Sequence, residues 1–525
     1  MSQISINNLT FCHDGDTQNL FENLSLELDT GWRLALIGRN GRGKTTLLHL
    51  LEGRYPYRGG IVSPVSFDYF PFEIAEPQRP ALAVLRQVIA PFDEWEAEME
   101  RCAADPTLLE EYGQMLEQYT ACDGFVIDSL IAREAGKLGI PEEALTRPFE
   151  TLSGGERTRL MLAALFLKHG NFLLIDEPTN HLDADGRRLV GDYLAAKQGF
   201  ILVSHDRDLL DRVADHILCI TPTGVELQQG NFSTWEENTR RQQQFELAEN
   251  RRLEKDITRL RQAATQRADW SMRTEAGKKG AADKGFVGHK AAKMMKRAKS
   301  IQQRQEQAIT EKTALLKNVE TAEALKIHTL PHPKELLAEA ENLTVCYGGS
   351  PLFAPVSFQI RQGDRVALCG PNGSGKSSLM GLLLGRDIPH SGRLAMAGGL
   401  TLSHLPQDSS FLAGGLTDFA RRQGLDTSLF FAILRKLGFA RSLFELDMAG
   451  YSAGQKKKVL LAACLARPAH LYLWDEPLNY IDLLSRIQLE ELLAEHRPTI
   501  LFVEHDARFI RHIATRRLEL TAPDA

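Results

Sequence analysis

The sequence lacks the features that would place it in a membrane or in an oxidising compartment. Its longest apolar runs, Leu160 to Leu167 and Val459 to Ala466, have eight residues each, well short of the roughly 18 that a membrane span needs. Its seven cysteines are scattered and never form a C-x-x-C pair, which argues against a disulfide or zinc framework. The start of the chain shows no basic region followed by an apolar core, as a signal peptide would. We therefore expect a cytoplasmic protein with reduced cysteines.

The chain also has little net charge, only −6 over 525 residues, so its overall charge indicates no particular partner. The charge is nevertheless unevenly distributed. Residues 251–304 carry sixteen Lys/Arg against five Asp/Glu, a net of +11, which leaves −17 for the rest of the chain. A basic segment on an acidic body favours a nucleic-acid backbone as partner. The alternative is a solvated coiled-coil face, which is often basic as well.

The chain is organised around a phosphate-binding loop of the form G-x-x-x-x-G-K-[ST], which occurs twice, at 38–45 and at 370–377. Each loop follows an apolar strand and opens a helix, the context that the motif requires. Glycines let backbone N–H groups close on phosphates, and the helix N-terminus adds a positive dipole end. The predicted nucleotide-binding residues are Gly38, Asn40, Gly41, Gly43, Lys44, Thr45, Thr46, Gly370, Asn372, Gly373, Gly375, Lys376, Ser377 and Ser378.

Three further elements recur in register after each loop. A helix opens with Ser-Gly-Gly-Glu or Ser-Ala-Gly-Gln, an apolar strand ends in two carboxylates, and a second apolar strand ends beside a histidine. The serine precedes the second carboxylate by 24 residues in both copies, and the histidine follows 28 or 29 residues later. This register predicts a tandem repeat of one domain. The loop lysine precedes the serine by 109 residues in the first copy and 76 in the second, so we expect about 33 extra residues in the first helical subdomain.

The carboxylates at the strand ends suit phosphoryl transfer from a nucleotide. Asp176 and Asp475 are placed to hold Mg²⁺ together with the loop hydroxyls of Thr45 and Ser377. One residue further on, Glu177 and Glu476 are placed to accept a proton from the attacking water.

These elements resemble the ATP-binding cassette (ABC) superfamily. Walker A, signature, Walker B, D-loop and switch histidine occur in order in both halves. The resemblance covers everything except the segment between the copies. It implies an ATPase that uses ATP and Mg²⁺ and whose halves close on each other. Each ATP would lie on one copy's Walker A loop and face the other copy's signature, and the chain would be monomeric.

The resemblance implies further site residues. His205 and His505 would join the two glutamates as catalytic residues, Gln407 would be the Q-loop contact to Mg²⁺, and Tyr347 and His13 would stand at the adenine-stacking position. The signature residues would be Ser153, Gly154, Gly155, Ser452, Ala453 and Gly454. The first copy departs from the pattern because Phe72 stands where the Q-loop glutamine is expected. Its site is therefore expected to hydrolyse slowly or differently, and His13 is a weaker stacking platform than Tyr347.

The segment between the copies predicts two long antiparallel helices. Leu253, Ile257, Leu260 and Ala264 follow helical spacing, a heptad seam runs through 294–319, and glycines interrupt the chain between them. The predicted architecture is α/β: two ABC-type P-loop ATPase domains, 1–235 and 331–525, joined by a long antiparallel α-helical hairpin at 236–330.

Two fused ABC domains with a basic hairpin and no membrane segment resemble the ABC-F family of ribosome-associated ATPases. The runs 474–482 and 502–506 are similar to antibiotic-resistance members of the Lsa and Vga type. That resemblance implies 70S ribosome binding, with contacts to rRNA and P-site tRNA, and displacement of lincosamide, streptogramin A or pleuromutilin drugs. Candidate contacts at the hairpin tip are Trp270, Met272, Lys278, Lys279 and Phe286. The alternative is that Trp270 and Met272 merely cap the coiled coil.

The sequence is also compatible with three other functions. A housekeeping translation factor of the same family would act on stalled ribosomes without drugs. The ATPase subunit of a drug exporter would need a membrane partner. A DNA-repair or chromosome ATPase would explain the basic arm, but in those proteins the coiled coil usually interrupts one domain and does not join two.

Overall fold

The computed structural model describes residues 2–13, 19–180, 182–221, 224–276, 325–348, 350–371 and 373–523. The chain divides into two compact units. One contains Met1–Phe232 together with Glu323–Ala525, and the other is Ser233–Ala322. The first unit holds both copies of the repeat, which we call copy one and copy two, so the contacts between the copies lie within a single unit.

Copy one contains an antiparallel sheet and a largely parallel core sheet. The antiparallel sheet has the order β2-β1-β4, with β1 (Gln3–Phe11), β2 (Phe21–Asp29) and β4 (Arg58–Val62). The core sheet comprises β3 (Arg33–Gly38), β5 (Ser66–Phe70), β6 (Asn171–Asp176), β7 (Phe200–Val203), β8 (His216–Thr221) and β9 (Gly224–Gln229). Its order is β5-β6-β7-β3-β8-β9, and only the last pair is antiparallel. All four residues of β7 are buried, as expected for a parallel strand covered on both faces.

The helices of copy one include a pair that extends its helical subdomain. The α-helices of copy one are α1 (Lys44–Leu51), α2 (Ala81–Ile89), α3 (Phe92–Ala103), α4 (Leu109–Ala121), α5 (Ile127–Lys137), α6 (Glu142–Thr146), α7 (Gly154–Leu165), α8 (Ala184–Ala195) and α9 (Arg207–Val213). Helices α3 and α4 lie against each other, in the region where the sequence predicted the extra residues of copy one.

A single long helix, α10 (Phe232–Ala276), follows copy one. It begins four residues before the predicted hairpin boundary and corresponds to the first predicted hairpin helix. The predicted tip and second helix lie outside the described residues.

Copy two repeats the architecture of copy one. Its elements are β10 (Leu336–Tyr347), β11 (Ser350–Pro351), β12 (Val356–Arg361), β13 (Arg365–Cys369), α11 (Lys376–Leu383), β14 (His390–Met396), β15 (Leu402–Leu405), α12 (Leu416–Arg422), α13 (Thr427–Lys436), α14 (Ala453–Ala466), β16 (Leu471–Asp475), α15 (Leu483–His496), β17 (Ile500–Val503), α16 (Ala507–Ile513) and β18 (Arg516–Glu519). The core order β15-β16-β17-β13-β18 matches β5-β6-β7-β3-β8. This confirms the predicted tandem α/β fold.

In both copies the helix after the phosphate loop is fixed in a hydrophobic core between the two sheets. Leu47 and Leu48 of α1 are buried with strands of both sheets in copy one. Leu379 and Met380 of α11 take the same place in copy two. Because strand and helix are both anchored, the loop between them is held at the carboxyl edge of the core sheet.

Candidate functional site

The phosphate loop of copy one requires glycine where it enters α1. Gly43 has φ +90° directly before the helix, and a Cβ there would lie 2.8 Å from Leu20 Cδ2. A side chain would therefore be strained by the backbone and blocked by the core. The adjacent Lys44 is buried, and its Nζ donates to the Gly38 carbonyl at 2.9 Å. The lysine thus lies across the mouth of the loop, where a phosphate would be bound.

The loop of copy two has the same form. Gly375 has φ +86° before α11, and Lys376 Nζ donates to the carbonyls of Gly370 and Pro371 at 2.9 and 2.8 Å. Gly373, another predicted binding residue, has φ +81°. Asn372 lies outside the described residues.

Each loop presents a hydroxyl to the carboxylate at the end of a neighbouring strand. Thr45 Oγ1 donates to Asp176 Oδ2 at 2.7 Å, and Ser377 Oγ donates to Asp475 Oδ2 at 2.8 Å. A hydroxyl and a carboxylate oxygen at this spacing fit the oxygen preference of Mg²⁺, and the lysine and helix N-terminus beside them fit its nucleotide partner. The donor sets of both copies thus fit the Mg-ATP that the sequence predicts.

The next residue in each copy is a glutamate in a strained backbone conformation. Glu177 has φ +51° and Glu476 has φ +48°, in the left-handed region that residues other than glycine seldom adopt. Glu177 Oε1 lies 3.3 Å from His205 Nε2, and Glu476 Oε1 lies 3.7 Å from His505 Nε2. Each predicted base therefore faces its predicted switch histidine at a strand end.

The two glutamates have different electrostatic surroundings. Burial, together with the neighbouring Asp176, raises the pKa of Glu177 to about 8. Burial acts in the same direction on Glu476, but interactions with His505 and Gln407 outweigh it and lower the pKa of that carboxyl. Burial and the nearby Lys44 lower the pKa of His205 well below its ordinary value, so this imidazole is neutral at neutral pH.

Strand register shows which residue occupies the Q-loop position in each copy. Phe70 pairs with Ile175 in copy one and Leu405 with Trp474 in copy two, so the positions two residues later, Phe72 and Gln407, are equivalent. Gln407 Nε2 donates to Glu476 Oε2 at 2.8 Å. A phenylalanine side chain has no such donor. Copy one therefore lacks the amide that contacts the glutamate in copy two.

The signature residues open helices in both copies. Ser153 caps α7 and Ser452 caps α14, each within a reciprocal capping box. The predicted residues Gly154 and Gly155 lie in the first turn of α7, and Ala453 and Gly454 in the first turn of α14.

The signature of copy two lies beside the phosphate loop of copy one. Asn40 Nδ2 donates to the Tyr480 carbonyl at 3.0 Å. A Cβ at Gly454 would lie 2.6 Å from that carbonyl oxygen and 3.1 Å from Asn40 Nδ2. In the opposite direction, Asp183 of copy one is close enough to act on the charge of Lys376 in copy two. Each copy therefore contributes to the surroundings of the other copy's loop.

The residues predicted at the adenine position occupy equivalent places. Tyr347 Oη lies 3.3 Å from Ser378 Oγ, and His13 Nε2 lies 3.4 Å from Thr46 Oγ1. Both rings are exposed, and both contact the hydroxyl that follows the loop. In copy one, Tyr55 adds a second ring, with its centroid 6.0 Å from that of His13.

Three polar residues near the sites were missed by sequence reasoning. Tyr69 Oη donates to Asp176 Oδ2 at 3.2 Å. The buried Lys457 Nζ donates to the Asp475 carbonyl at 3.0 Å, and the buried Glu504 accepts from the Leu478 N–H at 2.7 Å. Tyr69 lies just before the Q-loop position, so pairing of the two strands would have indicated it. Lys457 and Glu504 gave no such signal, because their counterparts Thr158 and Ser204 are uncharged.

The candidate RNA contacts cannot be placed in the same way. Trp270 and Met272 belong to α10, but their side chains lie outside the described part of the chain. Lys278, Lys279 and Phe286 lie outside it entirely.

Comparison with known proteins identifies the family. The sequence profile of the ABC transporter family matches residues 21–180 and 353–479, more than half of the chain. The chain belongs to the ABC transporter family. Among the described residues, no helix has the length and apolar character that crossing a bilayer requires.

Curated relatives place this ABC protein in the ABC-F group. It is 30% identical to the tylosin resistance ATP-binding protein TlrC of Streptomyces fradiae, over 99% of this chain and 97% of the relative. It is 29% identical to the energy-dependent translational throttle protein EttA of Haemophilus influenzae, over 96% and 89%. It is 27% identical to the ribosome protection protein VmlR of Bacillus subtilis, over 96% and 84%.

Solved structures agree on the fold of this ABC protein. The archaeal ribosome recycling factor aABCE1, solved with the ribosomal stalk protein aP1, matches with a TM-score of 0.57 at 18% identity. The match covers 98% of this chain and 87% of that one. At this identity the likeness concerns the tandem ABC fold alone.

Proposed function

We propose that the protein is an ATPase that hydrolyses ATP to ADP and phosphate at two composite sites between its ABC domains. The observation that carries this is the contact of Asn40 in the copy-one loop with Tyr480, beside Gly454 of the copy-two signature. Mg²⁺ bound at the hydroxyl–carboxylate pairs would neutralise charge on the phosphates. Gln407 would assist as a further Mg²⁺ contact in copy two.

In this proposal the chain's own residues divide the remaining work. Lys44 and Lys376 bind the phosphates, and Glu177 and Glu476 accept the proton of the attacking water. His205 and His505 orient that water. Signature groups from the opposite copy complete each site: Ser452, Ala453 and Gly454 for site one, and Ser153, Gly154 and Gly155 for site two.

We further propose that this ATPase acts in the cytoplasm on the 70S ribosome, contacting rRNA and P-site tRNA, and dislodges antibiotics of the peptidyl-transferase centre. Lincosamides, streptogramin A and pleuromutilins are the proposed drugs, as for the Lsa and Vga type. Relatives named for tylosin resistance and for ribosome protection support this. The net +11 over residues 251–304 supports an RNA partner, since concentrated basic charge binds phosphate backbones. The proposed domains are 1–235, 236–330 and 331–525, and the proposed state is a monomer.

A housekeeping translation factor is the second candidate. The relationship to a translational throttle protein, of similar identity and coverage, favours it. Both candidates share the ribosome as partner and differ in whether a drug is needed. An exporter subunit is less well supported, because the relatives named above are described by resistance, ribosome protection and translation, not by transport.

The first test uses the double variant Glu177→Gln, Glu476→Gln, which removes both proposed bases but keeps the side-chain volumes. This variant is expected to co-sediment with 70S ribosomes in ATP and to be released in ADP. Adding Lys44→Ala and Lys376→Ala provides the control, because ATP-dependent retention should then disappear. If the double variant stays in the supernatant with ATP at near-physiological salt, the ribosome is not the partner.

Expression in a drug-sensitive host separates the two candidates. Raised tolerance to a lincosamide or pleuromutilin, lost in the double variant, would support protection. Unchanged tolerance, together with altered translation in drug-free extracts, would support the translation factor.

A further inference from the structure

The two copies also meet at helices α9 and α16, each of which begins two residues after a switch histidine. Arg511 Nη2 of α16 lies 3.3 Å from Asp208 Oδ2 of α9, and Arg508 Nη1 lies 3.7 Å from Asp211 Oδ2. A cavity of about 610 Å³ opens beside these pairs. Copy one contributes both carboxylates and copy two contributes both guanidinium groups.

These pairs follow the approximate two-fold symmetry that relates the equivalent elements of the two copies. Counted from the switch histidines, Asp208 corresponds to Arg508, and Asp211 corresponds to Arg511. The third position after the histidine in one copy therefore faces the sixth position in the other, in both directions. That is the pattern of a two-fold interface, in which residue i contacts j and j contacts i. Across the axis, however, the sign of the charge is reversed at both positions.

A buried pair repeats this division. Arg207 of copy one is 1% exposed, and its Nη1 donates to Glu490 Oε2 of copy two at 3.0 Å. The corresponding positions on the other side of the axis are Ala507 and Gly191. At this pair of positions the cation thus belongs to copy one and the carboxylate belongs to copy two.

We infer that these six residues form a charge-sorted seam that admits copy one against copy two and rejects pairing of like copies. Two copy-one domains would bring Asp208 against Asp211 twice and would leave Arg207 facing a glycine. Two copy-two domains would bring Arg508 against Arg511 twice and would leave Glu490 facing an alanine. Like charges in contact, and a buried charge without its partner, both disfavour association.

The partner that the seam selects is therefore the opposite copy, which the linker keeps at high local concentration. The pairs Arg511–Asp208 and Arg508–Asp211 are both accessible to solvent, the second only partly, and such pairs contribute little attraction on their own. The selectivity therefore comes mainly from the mismatched alternatives. The inference depends on the pairing of the copies and not on the ribosome.

The test reverses one side of the seam at a time in the full chain. Asp208→Arg with Asp211→Arg makes both sides basic, and Arg508→Asp with Arg511→Asp makes both sides acidic. In each variant the two copies of one chain then repel each other at the seam. Between the two variants, however, the basic copy one of the first variant fits the acidic copy two of the second. Likewise, the acidic copy one of the second variant fits the basic copy two of the first. Mixing the two variants in Mg-ATP is expected to give a one-to-one dimer, twice the 58.6 kDa monomer, by light scattering. Each variant alone is expected to remain monomeric.

Two controls keep the test decisive. Combining all four reversals restores opposite charges within one chain, so this variant should be monomeric and should form no dimer with either parent. Asp192→Arg reverses a charge of α8 whose partner, Arg212, lies in the same copy, and it should change nothing. Melting curves and nucleotide titrations establish that each variant is folded and binds ATP, which separates failure of the seam from failure of the proposed ATP sites. If the mixture of folded variants stays monomeric, the inference is wrong.

Discussion

The two proposed nucleotide sites have the same motifs in the same order, yet their glutamates are held differently. In copy two, Glu476 accepts a hydrogen bond from Gln407, and its pKa is lowered. In copy one, Phe72 replaces that glutamine, and the pKa of Glu177 is raised to about 8 by burial and by Asp176. The pKa of a motif glutamate is thus set by its burial and by the side chains beside it, which are His505 and Gln407 for Glu476 and Asp176 for Glu177.

The largest effect is expected from removing the two bases one at a time. Glu476→Gln should lower steady-state phosphate release about 100-fold, in the range of general-base catalysis. Glu177→Gln should lower it by less than about threefold, because a carboxyl with a pKa of about 8 is mostly protonated at pH 7.5 and accepts protons poorly. Phosphate release at saturating ATP measures both variants.

ATP binding provides the control for this pair. Both variants should bind ATP as wild type does, since a Glu→Gln change keeps the shape of the side chain. Equal losses of turnover in the two variants would show that the sites are equivalent, despite their different surroundings.

Exchanging the Q-loop residues should change the difference in turnover between the two sites. Gln407→Phe removes the hydrogen bond to Glu476 and a predicted Mg²⁺ contact, and should lower turnover about tenfold. The matched change, Phe72→Gln, supplies the missing amide at site one. In a Glu476→Gln background it should raise the residual turnover severalfold. If Phe72→Gln leaves that turnover unchanged, the low turnover expected of site one does not come from its Q-loop residue.

Much of both sites was predictable because the motifs are local. Each phosphate loop and each carboxylate pair occupies a short run between a strand and a helix, so the local pattern indicated which residues would lie at the sheet edge. The signature residues were indicated by the resemblance to the ABC superfamily. The partners of the motifs were not predictable in this way. Tyr69 reaches Asp176 across 107 residues, and Arg207 reaches Glu490 across 283. Such contacts depend on strand register and on how the copies pair.

The helical subdomains also differ between the copies at a position that lies outside the motifs. Arg159 and Lys458 each donate to the carbonyl of the residue that directly follows a helix, Leu138 after α5 and Leu437 after α13. Four residues earlier these helices carry Glu134 and Ile433, both buried. One copy therefore has a carboxylate at the position where the other packs an isoleucine in its core.

The smallest effect is expected from substituting Glu134 or Ile433, which should change the stability of the fold. The change should depend on pH for Glu134 only. Glu134 accepts from Tyr193 at 2.9 Å and from Lys137 and Lys197 at 2.7 and 2.8 Å. Burial works against ionisation, but the lysines and the tyrosine outweigh it and lower the pKa of Glu134 to about 2. Glu134→Gln should therefore cost about 1 kcal/mol of unfolding free energy at neutral pH, because two lysines lose their charged acceptor.

The sign of the pH dependence follows from that lowered pKa. A carboxyl whose pKa is lower in the folded state stabilises the fold above its unfolded pKa, which is about 4.3 for glutamate, and loses this contribution as pH falls through its folded value. The gap in melting temperature between wild type and Glu134→Gln should thus be full at pH 7 and should narrow as the pH falls below about 4.3. Ile433→Val, which costs about 1 kcal/mol through lost packing, should show a gap that does not change with pH. A Glu134→Gln gap that stayed constant down to pH 3 would mean that this carboxylate acts by packing, as Ile433 does.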